Sequence, residues 1–60
     1  MSLELLKCDT IENAIKYLKN QKKDYLKYLM QNHIRFNHLS NSFYKKTRKN
    51  ELITLIVEVL

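Results

Sequence analysis

The chain of 60 residues has no glycine, no proline and no tryptophan, and it has a single cysteine. Each absence excludes something. Without glycine there is no phosphate-cradling Gly-rich loop and no nucleophile elbow. One thiol forms no internal disulfide, and two His with one Cys make a poor structural metal set, so no metal or cofactor is expected. A lone Cys8 reads as a small, half-buried apolar residue in a reducing, cytoplasmic setting. No apolar run approaches the length needed to cross a bilayer, so no membrane partner is expected. The first eight residues lack a basic stretch followed by an apolar core, and do not read as a secretory signal. No paired-carboxylate motif, HExxH or Cys–His signature is present, and the serines have no identifiable base. So small a chain also has difficulty excluding water from a reaction centre. An enzyme is not expected.

A single domain of this size buries only about 60 % of the surface its unfolded chain exposes. Helix packing or self-association must replace the missing disulfides and metal. Eleven Lys and Arg stand against six Asp and Glu, a formal charge of +5. Nine of the eleven are Lys, and Asn, Ile and Tyr are also abundant, as an A+T-rich coding sequence would favour. The arrangement of the charge therefore says more than its total. Residues 16–49 hold ten basic residues against Asp24 alone, and both flanking segments are mildly acidic. Two basic clusters stand out, Lys19-Asn20-Gln21-Lys22-Lys23 and Lys45-Lys46-Thr47-Arg48-Lys49. Such clusters attract phosphate polyanions, or else form a solvated face that keeps the chain in solution.

Hydrophobic periodicity predicts a helix over about 10–19. Asp9 or Thr10 opens it, with Asp9 and Glu12 spaced as in a capping box. Ile11, Ala14, Ile15 and Leu18 form its apolar stripe. Leu3, Leu5 and Leu6 extend it backwards or pack separately. Residues 19–24 carry no apolar side chain and no Gly or Pro, which suits either an exposed turn near Asn20 or a polar stretch of one longer helix. A break is favoured. A second helix is predicted over about 24–34, with Leu26, Leu29, Met30, His33 and Ile34 on one face. His33 reads as a packed or rim residue, since His33 and His38 are not at the spacing of a helical metal pair.

Residues 35–47 lose the period. Asn37, Ser40, Asn41 and Ser42 favour turns, while Phe36, Leu39, Phe43 and Tyr44 would anchor the loop to the helices. Thr47 reads as the N-cap of a last helix over about 48–60, with Glu51 in its first turn. Leu52–Leu60 is broadly apolar and rich in β-branched residues, so a buried strand is the alternative. The expected fold is all-α. It is a single small domain, residues 1–60, of about three helices with an irregular, partly extended connection between the last two.

Residues 24–60 resemble the SAP-type helix–extended–helix modules and their LEM-like and Rho N-terminal-like relatives. Leu26, Leu29 and Ile34 fit the first helix, and Tyr44, Lys49, Glu51, Leu52 and Ile53 fit the second half. The glycines usual at the end of the first helix and before the second are missing, and the connection is long. The resemblance implies DNA binding, with Lys45, Lys46, Arg48 and Lys49 near the phosphate backbone.

The residues point the same way without it. A helix N-terminus flanked by basic side chains suits phosphate. Lys22, Lys23, Arg35 and Tyr44 complete the candidate nucleic-acid contacts. Phe36, Phe43 and Tyr44 would stack on single-stranded bases if exposed, and otherwise fill the core. A second reading makes the chain a small helical regulator or inhibitor, of the kind phages or low-GC bacteria carry. It would bind an acidic or apolar protein, or a second copy of itself, through Leu52, Leu55, Ile56, Val59 and Leu60. A membrane-surface peptide fits less well, because there is no Trp.

Overall fold

The structure, a computed structural model, describes residue 3 and residues 6–60. The expectation for Leu5 lies outside the described residues. Among the described residues four helices follow in order: α1 (Ile11–Lys19), α2 (Lys23–Gln31), α3 (Asn41–Lys46) and α4 (Lys49–Glu58). Among the described residues there is no strand, and the all-α expectation holds. Leu6 is buried in the core and shares a turn with Lys7, which adopts φ 57°. That left-handed conformation costs a non-glycine residue about 1 kcal/mol, and the chain has no glycine to put there.

Thr10, not Asp9, caps α1. Its side-chain oxygen accepts from the Asn13 N–H at 3.2 Å. Glu12 lies in the first turn and Lys16 and Lys19 in the last, each favourable to the helix dipole. Ala14 and Leu18 are fully buried, whereas Ile11 at the start of the expected stripe is 45 % exposed. The chain breaks between α1 and α2, so residues 10–34 form two helices. The phenol groups of Tyr17 and Tyr25 meet across the break at 3.1 Å, their rings edge-on.

Helix α2 stops at Gln31, short of the expected Ile34. Asn32 is the reason. Its side-chain Nδ2 donates back to the Tyr28 carbonyl at 2.8 Å, and its own N–H donates to the same oxygen. A side-chain amide that satisfies the last-turn carbonyl ends a helix where apolar periodicity alone would carry on. The chain then turns through His33–His38, and Ile34 is left 85 % exposed.

The stretch expected to be a loop, 35–47, contains α3. Ser40 caps it by accepting from the Phe43 N–H at 3.3 Å. Tyr44 drops into the core and its hydroxyl donates to the Phe36 carbonyl at 3.2 Å. This fastens α3 to the turns before it. Thr47 does not cap α4. It ends α3, donating its hydroxyl to the Phe43 carbonyl at 2.6 Å. Extended backbone remains at Ser40, Thr47 and Arg48.

Helix α4 packs against both α1 and α2. A helix covered from two sides needs more than one narrow stripe, and this accounts for the breadth of its apolar surface. Leu52 and Ile56 are fully buried with Leu18, Leu26 and Met30 in one core. The radius of gyration is 10.7 Å.

Candidate nucleic-acid interface

Two backbone turns lie at one end of the bundle: Asn20–Lys22 between α1 and α2, and Thr47–Arg48 between α3 and α4. Two lysines join them. The Lys49 ammonium donates to the carbonyl oxygen of Lys19. The Lys23 ammonium donates to the carbonyl oxygen of Lys45 at 3.4 Å. Each contact sets a cation from the first turn of one helix on a carbonyl at the end of another, where the dipole favours positive charge. The two basic clusters, far apart in sequence, thus become one basic pole. It comprises Lys19, Lys22, Lys23, Lys45, Lys46, Arg48 and Lys49.

Lys19, Lys22, Lys45, Lys46 and Arg48 are exposed or nearly so, and Lys23 and Lys49 reach across to the neighbouring helix ends. Asp24 and Glu51 are the acidic residues of the first turns there. Like charges gathered this way repel. Two cations about 8 Å apart in water cost about 0.5 kcal/mol. Two exposed hydrogen bonds do not offset seven cations, so the buried core must hold the pole together.

The helix starts at this pole share a feature. Helices α1 and α3 are capped by the side chains of Thr10 and Ser40. Helices α2 and α4 have Lys22 and Arg48 at the N-cap position, and these side chains accept no capping hydrogen bond. Their backbone angles are nearly the same, φ −74° and ψ 154° at Lys22, φ −73° and ψ 154° at Arg48. Neither side chain has an acceptor to offer, so first-turn N–H groups are left to solvent or to an anion.

Lys45, Lys46, Arg48, Lys49, Lys22 and Lys23 therefore fall together, and Arg35 does not. Arg35 follows the far end of α2, a helix of nine residues spanning about 14 Å. Its backbone N–H is engaged by Nδ1 of His33 at 3.1 Å. Tyr44 lies beneath the pole, only 2 % exposed, and offers no open ring. Burial pushes its phenol above the ordinary tyrosine value. Phe36 is buried and Phe43 half-buried, Phe43 lying edge-on to Tyr44. The open ring is that of Tyr28, 61 % exposed on α2. Sequence reasoning does not single out Lys19 as a contact, although its place in the first basic cluster is the available signal.

The residues expected to form a partner face divide. Leu52 and Ile56 are core residues, closed to a partner while the chain is folded. Leu55, Val59 and Leu60 are half-buried. Beside Leu55 runs an open groove lined by Phe43, Thr47, Glu51 and Thr54. Among the described residues, no helix is long and apolar enough to cross a membrane. No family model, curated protein or solved structure matches the chain.

Proposed function

We propose that the chain is a small, non-enzymatic nucleic-acid-binding module that grips the phosphate backbone, DNA first, with its basic pole. The observation that carries this reading is the pair of lysine–carbonyl contacts, Lys49 to Lys19 and Lys23 to Lys45. They gather two clusters onto one end, and two helices without side-chain caps start there. Phosphate oxygens accept from free N–H groups and from ammonium and guanidinium donors alike. Lysine supplies charge without base reading, so affinity would depend on salt and little on sequence.

The resemblance to helix–extended–helix modules belongs to the same proposal. Under it α2 and α4 would be the two helical halves, and Lys49-Asn50-Glu51-Leu52-Ile53, which opens α4, would begin the second. The connection here carries α3, where those modules have an extended crossing. The regulator reading has less support, because two of its five contact residues lie in the core.

The test is fluorescence anisotropy with a labelled duplex and a labelled single strand. Micromolar binding by the wild type is expected. It should be lost when Lys45, Lys46, Arg48 and Lys49 are all replaced by Ala, with the helical circular dichroism retained. Absence of binding at about 50 mM salt, where phosphate contacts are strong, would overturn the proposal.

A further inference from the structure

Beside the pole, the start of α2 and the end of α3 enclose a cleft of ≈ 150 Å³ lined by Lys23, Asp24, Lys27, Tyr44 and Lys45. Lys23 and Lys27 are four residues apart and so share a face of α2. Both are drawn towards α3. The Lys23 ammonium reaches the Lys45 carbonyl, and Nζ of Lys27 lies 5.8 Å from the centroid of the Tyr44 ring. The ring lies almost wholly buried beneath them, held in place by the hydrogen bond from the Tyr44 hydroxyl to the Phe36 carbonyl. A backbone carbonyl and a ring face are weak partners for ammonium groups. An oxyanion in the cleft would give both lysines a stronger one.

We propose that this cleft is a subsite for a phosphate monoester, suited to the 5′-phosphorylated end of a nucleic-acid strand. Three of the residues that line the cleft are lysines and one is an aspartate, a formal net of two positive charges. A monoester carries up to two negative charges near neutral pH and a single organic substituent. A phosphodiester inside a strand carries one charge and two substituents, which a concave site accommodates less well. The pole grips the strand backbone, and the cleft takes its terminus. In its strand-end form the inference rests on the nucleic-acid reading. The Asp24 carboxylate opposes any anion here, so its removal should tighten binding.

The test compares two otherwise identical labelled single strands, one with a 5′-phosphate and one with a 5′-hydroxyl, by anisotropy. Inorganic phosphate is titrated separately into the full chain and followed by amide NMR. The phosphorylated strand should bind about tenfold tighter, the equivalent of one charge-assisted hydrogen bond. Lys27→Gln should abolish that preference without weakening the hydroxyl strand, and Asp24→Asn should enlarge it. Millimolar inorganic phosphate should shift the amide resonances of Lys23, Lys27 and Tyr44 in the wild type and not in Lys27→Gln. The strand preference marks a strand end as the ligand, and the shifts mark free phosphate as one. Equal binding of the two strands together with silent amides overturns the subsite and leaves the nucleic-acid reading standing. Phosphate shifts at these residues without binding of either strand keep the subsite and overturn the nucleic-acid reading.

Discussion

The ammonium group of Lys49, in the first turn of α4, lies on the carbonyl oxygen of Lys19, the last residue of α1. The contact spans thirty residues of sequence and joins two like-charged segments. Its geometry favours the cation, yet it concentrates positive charge. If the pole binds phosphate as proposed, stability and binding are therefore opposed at this end of the molecule. Replacing Lys49 with Met, which keeps the stem and removes the charge, should change unfolding free energy by no more than about 1 kcal/mol. It should weaken nucleic-acid binding several-fold. Added salt should raise the melting temperature of the wild type by screening the pole, and should do so less for Lys49→Met. Thermal melts across a salt series, read beside anisotropy, check all three.

Tyr44→Phe removes a buried hydroxyl and leaves the Phe36 carbonyl without that donor. The expected loss is about 1–2 kcal/mol in urea unfolding, a large share for so small a core. A loss within error would mean that Tyr44 contributes through its ring alone.

Residues Met30 and Ile34 lie at neighbouring positions of one expected stripe, but the structure separates them. Met30 is fully buried and Ile34 is 85 % exposed. Met30→Ala should cost about 2–5 kcal/mol and leave little folded chain. Ile34→Asn should fall within about 0.5 kcal/mol of the wild type. Circular dichroism melts of the two variants decide this, and equal destabilisation would return Ile34 to the core.

This pair also shows what the sequence could and could not disclose. Periodicity locates α1 and α2, because each buries one face in a regular pattern, whereas the broad apolar surface of α4 leaves a strand as the alternative. Periodicity ran past Gln31 because apolar spacing does not register an Asn32 side chain returning to a carbonyl. It missed α3 because six residues are too few for a period, and Ser40 looks the same as a turn former and as a helix cap. The excess apolar surface of Leu52–Leu60 suggested a partner. Much of it faces α1 and α2, an arrangement that single-helix patterning cannot reveal. The two basic clusters were plain in the sequence. Their meeting at one pole was not, because it depends on how α1–α2 and α3–α4 turn at the same end.

Alkaline pH should unfold the chain through its tyrosines. The hydrogen bond with Tyr17, then burial, raises the Tyr25 phenol above its ordinary value, and burial raises Tyr44. Folding thus favours their neutral forms. This stability is fully present below the ordinary phenol value of about 10 and is lost as pH rises through the higher folded values. Tyrosinate absorbance, free of tryptophan interference in this chain, should rise together with the loss of helical signal. Ionisation of all four tyrosines at the ordinary value, with no loss of helix, would contradict it.

On the proposed reading the two basic clusters act as one phosphate-binding surface. The most direct measurement is the slope of log K against log salt for three chains binding one duplex. These are the wild type, a Lys19/Lys22/Lys23→Gln variant and a Lys45/Lys46/Arg48→Gln variant. Neutralising either cluster should lower the slope by about one unit for each phosphate that cluster had paired, and each variant should bind more weakly at every salt concentration. A slope that stays unchanged when the Lys19–Lys23 cluster is neutralised would contradict a joint surface, leaving that cluster as solvated charge alone.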